Sequence, residues 1–295
     1  MRLFYFFFTI IFLVGCSFDN KSGIWENDSS QTYKKQSELF GDFKKFSSTQ
    51  SKFNKTVTLD KNFIFNKIAP IKNKAWKDIF YNNSNNRKNF KYNDQNQLVL
   101  KSKKITNHIT NKYLLVEDNN IIVSDVKGNI NIFSLEDNML LERFNFYKKK
   151  YKKIKKKLNM IVQDNTIYVS DNLGYIYAYN YSKKKILWAK DLKIPFRSNL
   201  KITKDIVFAS NQNNEIIFID IKNGEIIKSI PTEENVIKNQ FTNSLSLNQN
   251  SLFFLNSFGS LYSIDTESLE INWFINLNKS VDLSPSNLFY ANQII

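Results

Sequence analysis

The chain has 295 residues, of which 42% are hydrophobic and 15% aromatic, and this composition supplies enough apolar side chains for a folded core. Its formal net charge is +15, which favours anionic lipid surfaces and acidic protein faces as partners. It contains one cysteine and one histidine, His108. These counts exclude an internal disulfide and a metal site built from several histidines.

The N-terminus has the pattern of an export signal. Residues 3–14 are apolar but too few to span a bilayer as a helix, and they follow the positive Arg2. The run ends in Leu-Val-Gly15-Cys16, which looks like a bacterial lipobox, a motif cut before a cysteine whose thiol has been diacylated. We therefore predict a signal peptide over residues 1–15, cleavage between Gly15 and Cys16, and lipidation of Cys16. Ser17 favours delivery to the periplasmic face of the outer membrane.

Residues 16–55 are rich in Ser, Lys, Gln, Asn and Asp, which predicts a polar tether behind the lipid anchor. Residues 56–295 are predicted to form the folded domain. At its start, residues 57–65 and 98–105 have the composition of strands, and an Asn-rich loop follows Trp76. We expect these segments to belong to a first, incomplete repeat.

Four later stretches align on one another. Their anchor residues are Gly128, Gly174, Asn214 and Gly259, spaced 46, 40 and 45 residues apart. Fourteen residues after each anchor, within an apolar run, the aligned positions are Glu142, Trp188, Lys228 and Trp273. A period of this length with several short strands is typical of a β-propeller blade.

Each repeat contains runs rich in Ile, Val, Tyr and Phe, which favour strands. Near-continuous apolar runs indicate blades that are buried on both faces. The predicted strands cover residues 121–124, 130–134 and 140–146; 159–163, 166–170, 175–180 and 186–192; 206–209, 215–220 and 225–230; and 252–255, 261–265 and 271–277.

A lysine run lies between the first and second of these repeats, at residues 148–157. So many like charges repel one another and require solvent, so the run is predicted to be an exposed connector. It is also a possible basic contact patch for anionic headgroups or an acidic partner. Its lysines are Lys148, Lys149, Lys150, Lys152, Lys153, Lys155, Lys156 and Lys157.

The ends of the repeats resemble the tryptophan-docking motif A-x-D-x-x-x-G-x-x-x-W of PQQ-like, quinoprotein-type propellers. Residues 178–188, 218–228 and 263–273 carry this resemblance. Asp220 and Asp265 keep the acidic turn residue, Gly224 keeps the turn glycine, and Trp188 and Trp273 keep the tryptophan. The resemblance implies an all-β propeller in which these indoles pack between blades as core residues. It also implies seven or eight blades in the full protein, with about four or five present here.

Together, the lipobox, the tether, the Ala75-Trp76 segment and the repeats resemble the BamB family of outer-membrane assembly lipoproteins. That resemblance implies a non-catalytic scaffold without a cofactor. Its partners would be the POTRA domains of a BamA-like barrel-inserting subunit, other subunits of the assembly machinery, and unfolded outer-membrane clients. No nucleic-acid partner is expected, since the recognition motifs are absent and the chain is exported.

Two alternatives remain open. A PQQ-dependent quinoprotein dehydrogenase is similar in its repeats, but it requires acidic ligands for calcium and usually a vicinal disulfide, which one cysteine cannot form. A propeller that binds a cell-envelope polymer is the other alternative. The sequence has no nucleophile elbow, dinucleotide fingerprint or P-loop, so we predict that the chain is not an enzyme.

The end of the sequence resembles the start of a further repeat, from residue 282 onward. A propeller hides its strand edges by closing on itself. We therefore expect the propeller domain to be truncated at its C-terminus, with a complete small propeller as the alternative.

Overall fold

The computed structural model describes residues 17–18, 25–26, 69–70, 75–87, 89, 91–92, 94, 97–98, 100–234, 240–277 and 291–295. The predicted signal peptide, Cys16, most of the tether and the predicted strand over residues 57–65 lie outside the described residues. The chain divides into two units, Met1–Lys44 and Lys45–Ile295. In the first unit, strand β1 (Ser17–Phe18) pairs antiparallel with β2 (Trp25–Glu26).

The second unit contains four four-stranded antiparallel sheets, each a simple meander in chain order. The prediction of an all-β, PQQ-like propeller is confirmed, with four blades described. Blade 1 comprises β3 (Thr110–Glu117), β4 (Asn120–Asp125), β5 (Asn129–Ser134) and β6 (Met139–Asn145). Blade 2 comprises β7 (Leu158–Gln163), β8 (Thr166–Asp171), β9 (Tyr175–Asn180) and β10 (Lys185–Asp191). Blade 3 comprises β11 (Lys201–Ile202), β12 (Ile206–Ser210), β13 (Ile216–Asp220) and β14 (Ile226–Ile230), and blade 4 comprises β15 (Ser244–Asn248), β16 (Ser251–Leu255), β17 (Ser260–Asp265) and β18 (Ile271–Asn276).

The apolar cores lie between adjacent blades, because alternate side chains of one strand point to opposite neighbours. On β7, Met160 and Val162 pack toward blade 1, whereas Ile161 packs toward blade 3. The interface of blades 1 and 2 includes Phe144 stacked on Tyr179, with ring centroids 3.8 Å apart. This alternation explains why the middle strands are apolar throughout: both faces of each blade are covered.

The turn between the second and third strands is the same in all four blades. One side-chain oxygen accepts the backbone N–H groups of the residues two and four positions later, at 2.8–3.2 Å. The accepting residues are Asp125, Asp171, Asn211 and Asn256. Three residues after each of them, the anchor residue adopts a left-handed φ between 64° and 96°. Glycine and asparagine tolerate this conformation best, which accounts for Gly128, Gly174, Asn214 and Gly259 at these positions.

The fourth strand of every blade has a β-bulge against the third strand. In blade 2, Ile186 pairs with Tyr179 and Trp188 pairs with Ala178, so Leu187 is the extra residue. The same shift occurs in blades 1, 3 and 4, where it makes Leu141, Ile227 and Asn272 the extra residues. A bulge redirects the next side chain and interrupts a free strand edge. In each blade the extra residue lies directly before the aligned position fourteen residues after the anchor, which is Glu142, Trp188, Lys228 or Trp273.

Residues 75–86, called here the axial segment, run across the first strands of the blades. Trp76 exchanges two backbone hydrogen bonds of 2.8 Å with Val116 on β3. Further along, the Asn83 carbonyl accepts from Leu247 N on β15, and its side-chain amide donates to the Ile202 carbonyl on β11, both at 2.8 Å. The axial segment therefore satisfies its polar groups on several blades in turn.

This arrangement corrects the expectation that residues 75–86 form part of an incomplete first repeat. The axial segment does not form a blade, because its hydrogen bonds go to separate sheets and not to one neighbouring strand. Residues 100–105, within the predicted strand over residues 98–105, have no strand structure and are mostly exposed. That prediction was wrong: these residues pair with none of the described strands, although their composition favours strand structure.

Candidate functional site: a basic cavity at the axis

A buried ion pair fixes the axial segment to blade 3. Lys201 Nζ lies 2.6 Å from Asp78 Oδ2 and also donates to the Asn82 carbonyl at 2.9 Å and to Asn85 Oδ1 at 2.5 Å. Both charged side chains are almost fully buried. Burial raises the pKa of Asp78 and lowers the pKa of Lys201, and in each case the opposite charge of the partner acts against this shift. The three acceptors match the three donors of the ammonium group.

The last described residues meet the same end of the axial segment. Asn85 Nδ2 donates to the Leu245 carbonyl and to the Ile294 carbonyl, each at 2.8 Å. In return, Gln293 Nε2 donates to the Asn85 carbonyl at 2.6 Å. Asn85 is buried, so its amide links blade 4, the axial segment and residues 291–295.

A cavity of about 700 Å³ lies beside the axial segment. Ile79 and Phe80 of that segment contribute its apolar part. The first strands contribute polar walls near their N-terminal ends, including Asn159 on β7 and Ser244 on β15, while Asn199 comes from just before β11. A second cavity of about 310 Å³ is lined by other residues of the axial segment, among them Asp78. The segment thus contributes to both cavities.

The larger cavity, called here the axial cavity, is strongly basic. Four cations line it: Lys112 on β3, Lys155 and Lys157 in the connector before β7, and Arg197 shortly before β11. None of the described residues that line it is acidic. Burial lowers the pKa of Arg197, but a guanidinium remains protonated at neutral pH. The cavity can therefore attract an anion.

One polar group in the wall has no partner. Asn243 is buried, and its Nδ2 donates to Ser210 Oγ at 2.9 Å and to the Asn211 carbonyl at 3.1 Å. Its Oδ1 is buried without a hydrogen bond. By contrast, Asn199 uses both ends of its amide on Leu245. A buried acceptor without a donor costs free energy.

Among the motif residues, Trp188 reaches from blade 2 to blade 3. It is buried, and its indole N–H donates to the Ile221 carbonyl at 2.9 Å. Gly224, with φ of 73°, lies under the ring, and a Cβ atom there would approach Trp188 Cε3 to 2.5 Å. Tryptophan and glycine at these two positions are therefore matched in shape.

The other three equivalent positions use different chemistry. Glu142 accepts a hydrogen bond from the Tyr179 hydroxyl of blade 2, and Lys228 pairs with Glu270 of blade 4. Trp273 is only partly buried and lies against Phe253 of its own blade, with ring centroids 6.1 Å apart. The expectation of a core position for Trp273 is thus corrected. In the part of the chain that the structure describes, no strand follows β18 to cover it.

The two acidic motif residues organise the turns before the fourth strands. Asp220 Oδ1 accepts the N–H groups of Lys222 and Asn223, at 2.8 and 3.1 Å. Asp265 Oδ1 accepts those of Glu267 and Ser268, at 2.9 and 2.8 Å. In these turns, carboxylates act as backbone caps.

The lysine run lies between β6 and β7 and includes a short 3-10 turn, Lys149–Tyr151. Lys156 departs from the exposed connector that the sequence predicts. It is buried, and its Nζ donates to the Tyr151 carbonyl at 2.5 Å and lies 5.0 Å from the Tyr147 ring centre. The other seven lysines are exposed, and two of them, Lys155 and Lys157, reach the axial cavity. Gly15 and Cys16 lie outside the described residues.

The residues present do not fit the calcium–quinone site that the quinoprotein alternative requires. Among the described residues, no three His, Cys, Asp or Glu side chains are grouped so that they could hold a metal ion. The donors around the axial cavity are cationic or neutral, which suits anions and not calcium. Within the same described part of the chain, no helix has the length and apolarity needed to cross a membrane.

Sequence reasoning did not identify Lys201, Asp78 or Arg197 as important. Asp78 and Lys201 are 123 residues apart in the chain. The available signal was a charged residue beside an apolar one at the start of a blade, in Lys201-Ile202. A lysine there indicates a buried partner once the blade boundaries are known.

Comparison with known proteins identifies the repeats. Residues 143–273 match the family model described as "Outer membrane protein assembly factor BamB". The crystal structure of BamB from Moraxella catarrhalis is similar, with a TM-score of 0.50 and 12% identity over 60% of this chain and 52% of that one. The chain thus matches about half the length of that structure. The computationally designed Ika4 protein gives a TM-score of 0.48 and 13% identity, over 58% of this chain and 99% of Ika4. No curated protein matches the chain.

Proposed function

We propose that this chain, a BamB-like protein of PQQ-type repeats, is a non-catalytic scaffold in the assembly of outer-membrane β-barrel proteins. The observation that carries the proposal is the family match over residues 143–273, which includes all of blades 2 and 3 and most of blade 4. The fold similarity to a BamB crystal structure supports it. In this role the propeller binds the POTRA domains of a BamA-like subunit, other assembly subunits and unfolded clients.

The test is direct binding. The purified full chain would be titrated against the POTRA domains of the barrel-inserting subunit from the same organism, with a four-bladed propeller of unrelated sequence as control. Saturable binding to this chain alone, with Kd at or below about 10 μM, is the expected result. Absence of binding, together with unchanged levels of outer-membrane barrels after deletion of the gene, would contradict the proposal.

The scaffold is further proposed to be lipid-anchored through Cys16, with residues 1–15 removed as a signal peptide, residues 16–55 as tether and residues 56–295 as propeller domain. Acyl chains on one cysteine give stable attachment to the periplasmic face of the outer membrane. Labelled palmitate should enter the wild-type protein and not a Cys16→Ser variant. Equal labelling of both would place the modification elsewhere.

The exposed part of the lysine run is proposed to touch anionic lipid headgroups. Near a membrane surface each lysine contributes about 1 kcal/mol of attraction. A chain with Lys149, Lys150, Lys152 and Lys153 changed to Gln should lose binding to anionic vesicles, measured by flotation in the Cys16→Ser background so that the lipid anchor does not mask the effect. Undiminished flotation would rule out the contact.

A further inference from the structure

We propose that the axial cavity is a binding site for a small molecule that carries two or more phosphate or carboxylate groups. This inference does not depend on the role in barrel assembly. It arises from the cations that converge on the cavity, from the lack of a carboxylate among its described lining residues, and from its size.

The cations come from separate parts of the chain. Lys112 belongs to blade 1, Lys155 and Lys157 to the connector that enters blade 2, and Arg197 to the segment that enters blade 3. Like charges that converge in a recess repel each other. The described lining residues supply no carboxylate to offset this repulsion. A multivalent anion would do so, and phosphate and carboxylate groups are the usual partners of lysine and arginine.

The neutral groups of the wall narrow the class of ligand. Lys157 Nζ donates to Gln240 Oε1 at 3.3 Å, a neutral partner that leaves its charge uncompensated. An uncharged ligand would leave this ammonium group without a counter-charge, so an anionic ligand is expected.

The dimensions of the axial cavity favour a compact ligand. A volume of about 700 Å³ lies within the range of small-molecule sites. Ile79 and Phe80 of the axial segment form part of its wall, and that segment is held by the buried pair of Asp78 and Lys201. The buried pair therefore fixes one wall of the cavity.

The lysine run offers a matched pair of variants for the test. The double change Lys155→Gln and Lys157→Gln removes two charges that line the cavity, whereas Lys152→Gln and Lys153→Gln removes two charges of the same connector that do not. The connector should fold in both, because it is held by the backbone of residues 155 and 157. There Asn172 Nδ2 donates to the Lys155 carbonyl at 3.1 Å, and Lys157 N donates to Asn172 Oδ1 at 2.8 Å.

Binding would be measured by calorimetry on the full chain with citrate, which has three carboxylates and a hydroxyl, and with inorganic triphosphate. At least one probe should bind the wild type with Kd below about 1 mM. The probe that binds more tightly shows whether the cavity prefers carboxylate or phosphate groups. The cavity pair should weaken this binding about tenfold or more, since charge-assisted contacts are lost. At about 0.15 M ionic strength the control pair should change it by no more than about twofold, because distant charges are screened.

A third variant, Lys112→Gln, tests the cavity from a different blade and should also weaken binding. Equal losses in the cavity and control pairs would mean that diffuse surface charge holds the probes, and this would overturn the proposal. A wild type that binds neither probe would overturn it as well. A loss confined to the cavity variants, with unchanged thermal unfolding, would support the site.

Discussion

At the perimeter of the propeller, the fourth strands of blades 1, 2 and 3 share one feature: a bulge, followed by a side chain that reaches the next blade. Trp188, Glu142 and Lys228 make this contact with an indole, a carboxylate and an ammonium group. At the axis, the first strands meet a single segment that does not repeat, and each contact differs from the others. The same sheets therefore carry a periodic interface on one side and an aperiodic one on the other.

The two regions also differ in the sequence separation of their contacts. Perimeter hydrogen bonds such as that of Trp188 join residues 33 to 42 positions apart. Axial bonds such as those of Asn85 and Lys201 join residues 116 to 209 positions apart. Repeats can thus stack from local contacts, whereas the axial segment joins parts of the chain that stacking alone does not bring together.

The largest expected effect comes from the axis. Asp78→Ala leaves the Lys201 ammonium buried without its counter-ion and should lower the free energy of unfolding by about 3–5 kcal/mol. The perimeter pair of Lys228 and Glu270 is the matched control. It is partly solvent-exposed, so Lys228→Ala should cost about 1 kcal/mol or less. Urea unfolding of both variants measures the difference. Equal losses in the free energy of unfolding would show that the axial ion pair does not stabilise the fold more than the perimeter pair does.

The perimeter could be predicted from sequence because it repeats. Each repeat has glycine or asparagine at the left-handed anchor position and apolar runs at a fixed distance from it. The strand ends predicted from this pattern differ from those in the structure by only a residue or two, as for Ile206–Ser210. The bulges were not predicted, since a run such as Ile186-Leu187-Trp188 does not show which residue lacks a partner.

The axis could not be predicted in the same way. Of the first strands, β7 was predicted, but β3, β11 and β15 were not. Two of these are short or polar: β11 is only Lys201–Ile202, and β15 alternates serine with leucine. Lys201 is tolerated on β11 because its partner Asp78 belongs to the axial segment, and Ser244 on β15 accepts the N–H group of Ile294. Contacts at such separations leave no local pattern in one sequence.

A second prediction compares two tryptophans at equivalent perimeter positions. Trp188→Ala removes a buried indole that is hydrogen-bonded to the next blade and should cost about 3 kcal/mol or more in stability. Trp273→Ala removes a partly exposed ring without such a hydrogen bond among the described contacts, and should cost about 1 kcal/mol. Chemical denaturation followed by far-UV circular dichroism measures both. A Trp273 variant as unstable as the Trp188 variant would show that this ring is also covered by a neighbour.

The smallest expected effect concerns the turns that precede the fourth strands, such as the turn capped by Asp265 before β18. The N–H groups of Ser268 and Glu267 donate to the ionised carboxylate and lower the pKa of Asp265. Because its folded pKa lies below the unfolded value of about 3.9, its contribution to stability is present above that value and is lost as the pH falls through the folded pKa.

Asparagine can accept the same backbone bonds, as Asn180 does from Lys183 N at 2.8 Å in blade 2. Asp265→Asn should therefore keep the turn and leave stability at neutral pH nearly unchanged, but it should flatten the loss of stability below about pH 4. Urea midpoints across the acid range would measure this, with Asp265→Ala as the control that loses the cap at every pH. Identical acid profiles for the wild type and Asp265→Asn would mean that the proton is taken up elsewhere. The perimeter turns would then depend on the shape of the capping side chain and not on its charge.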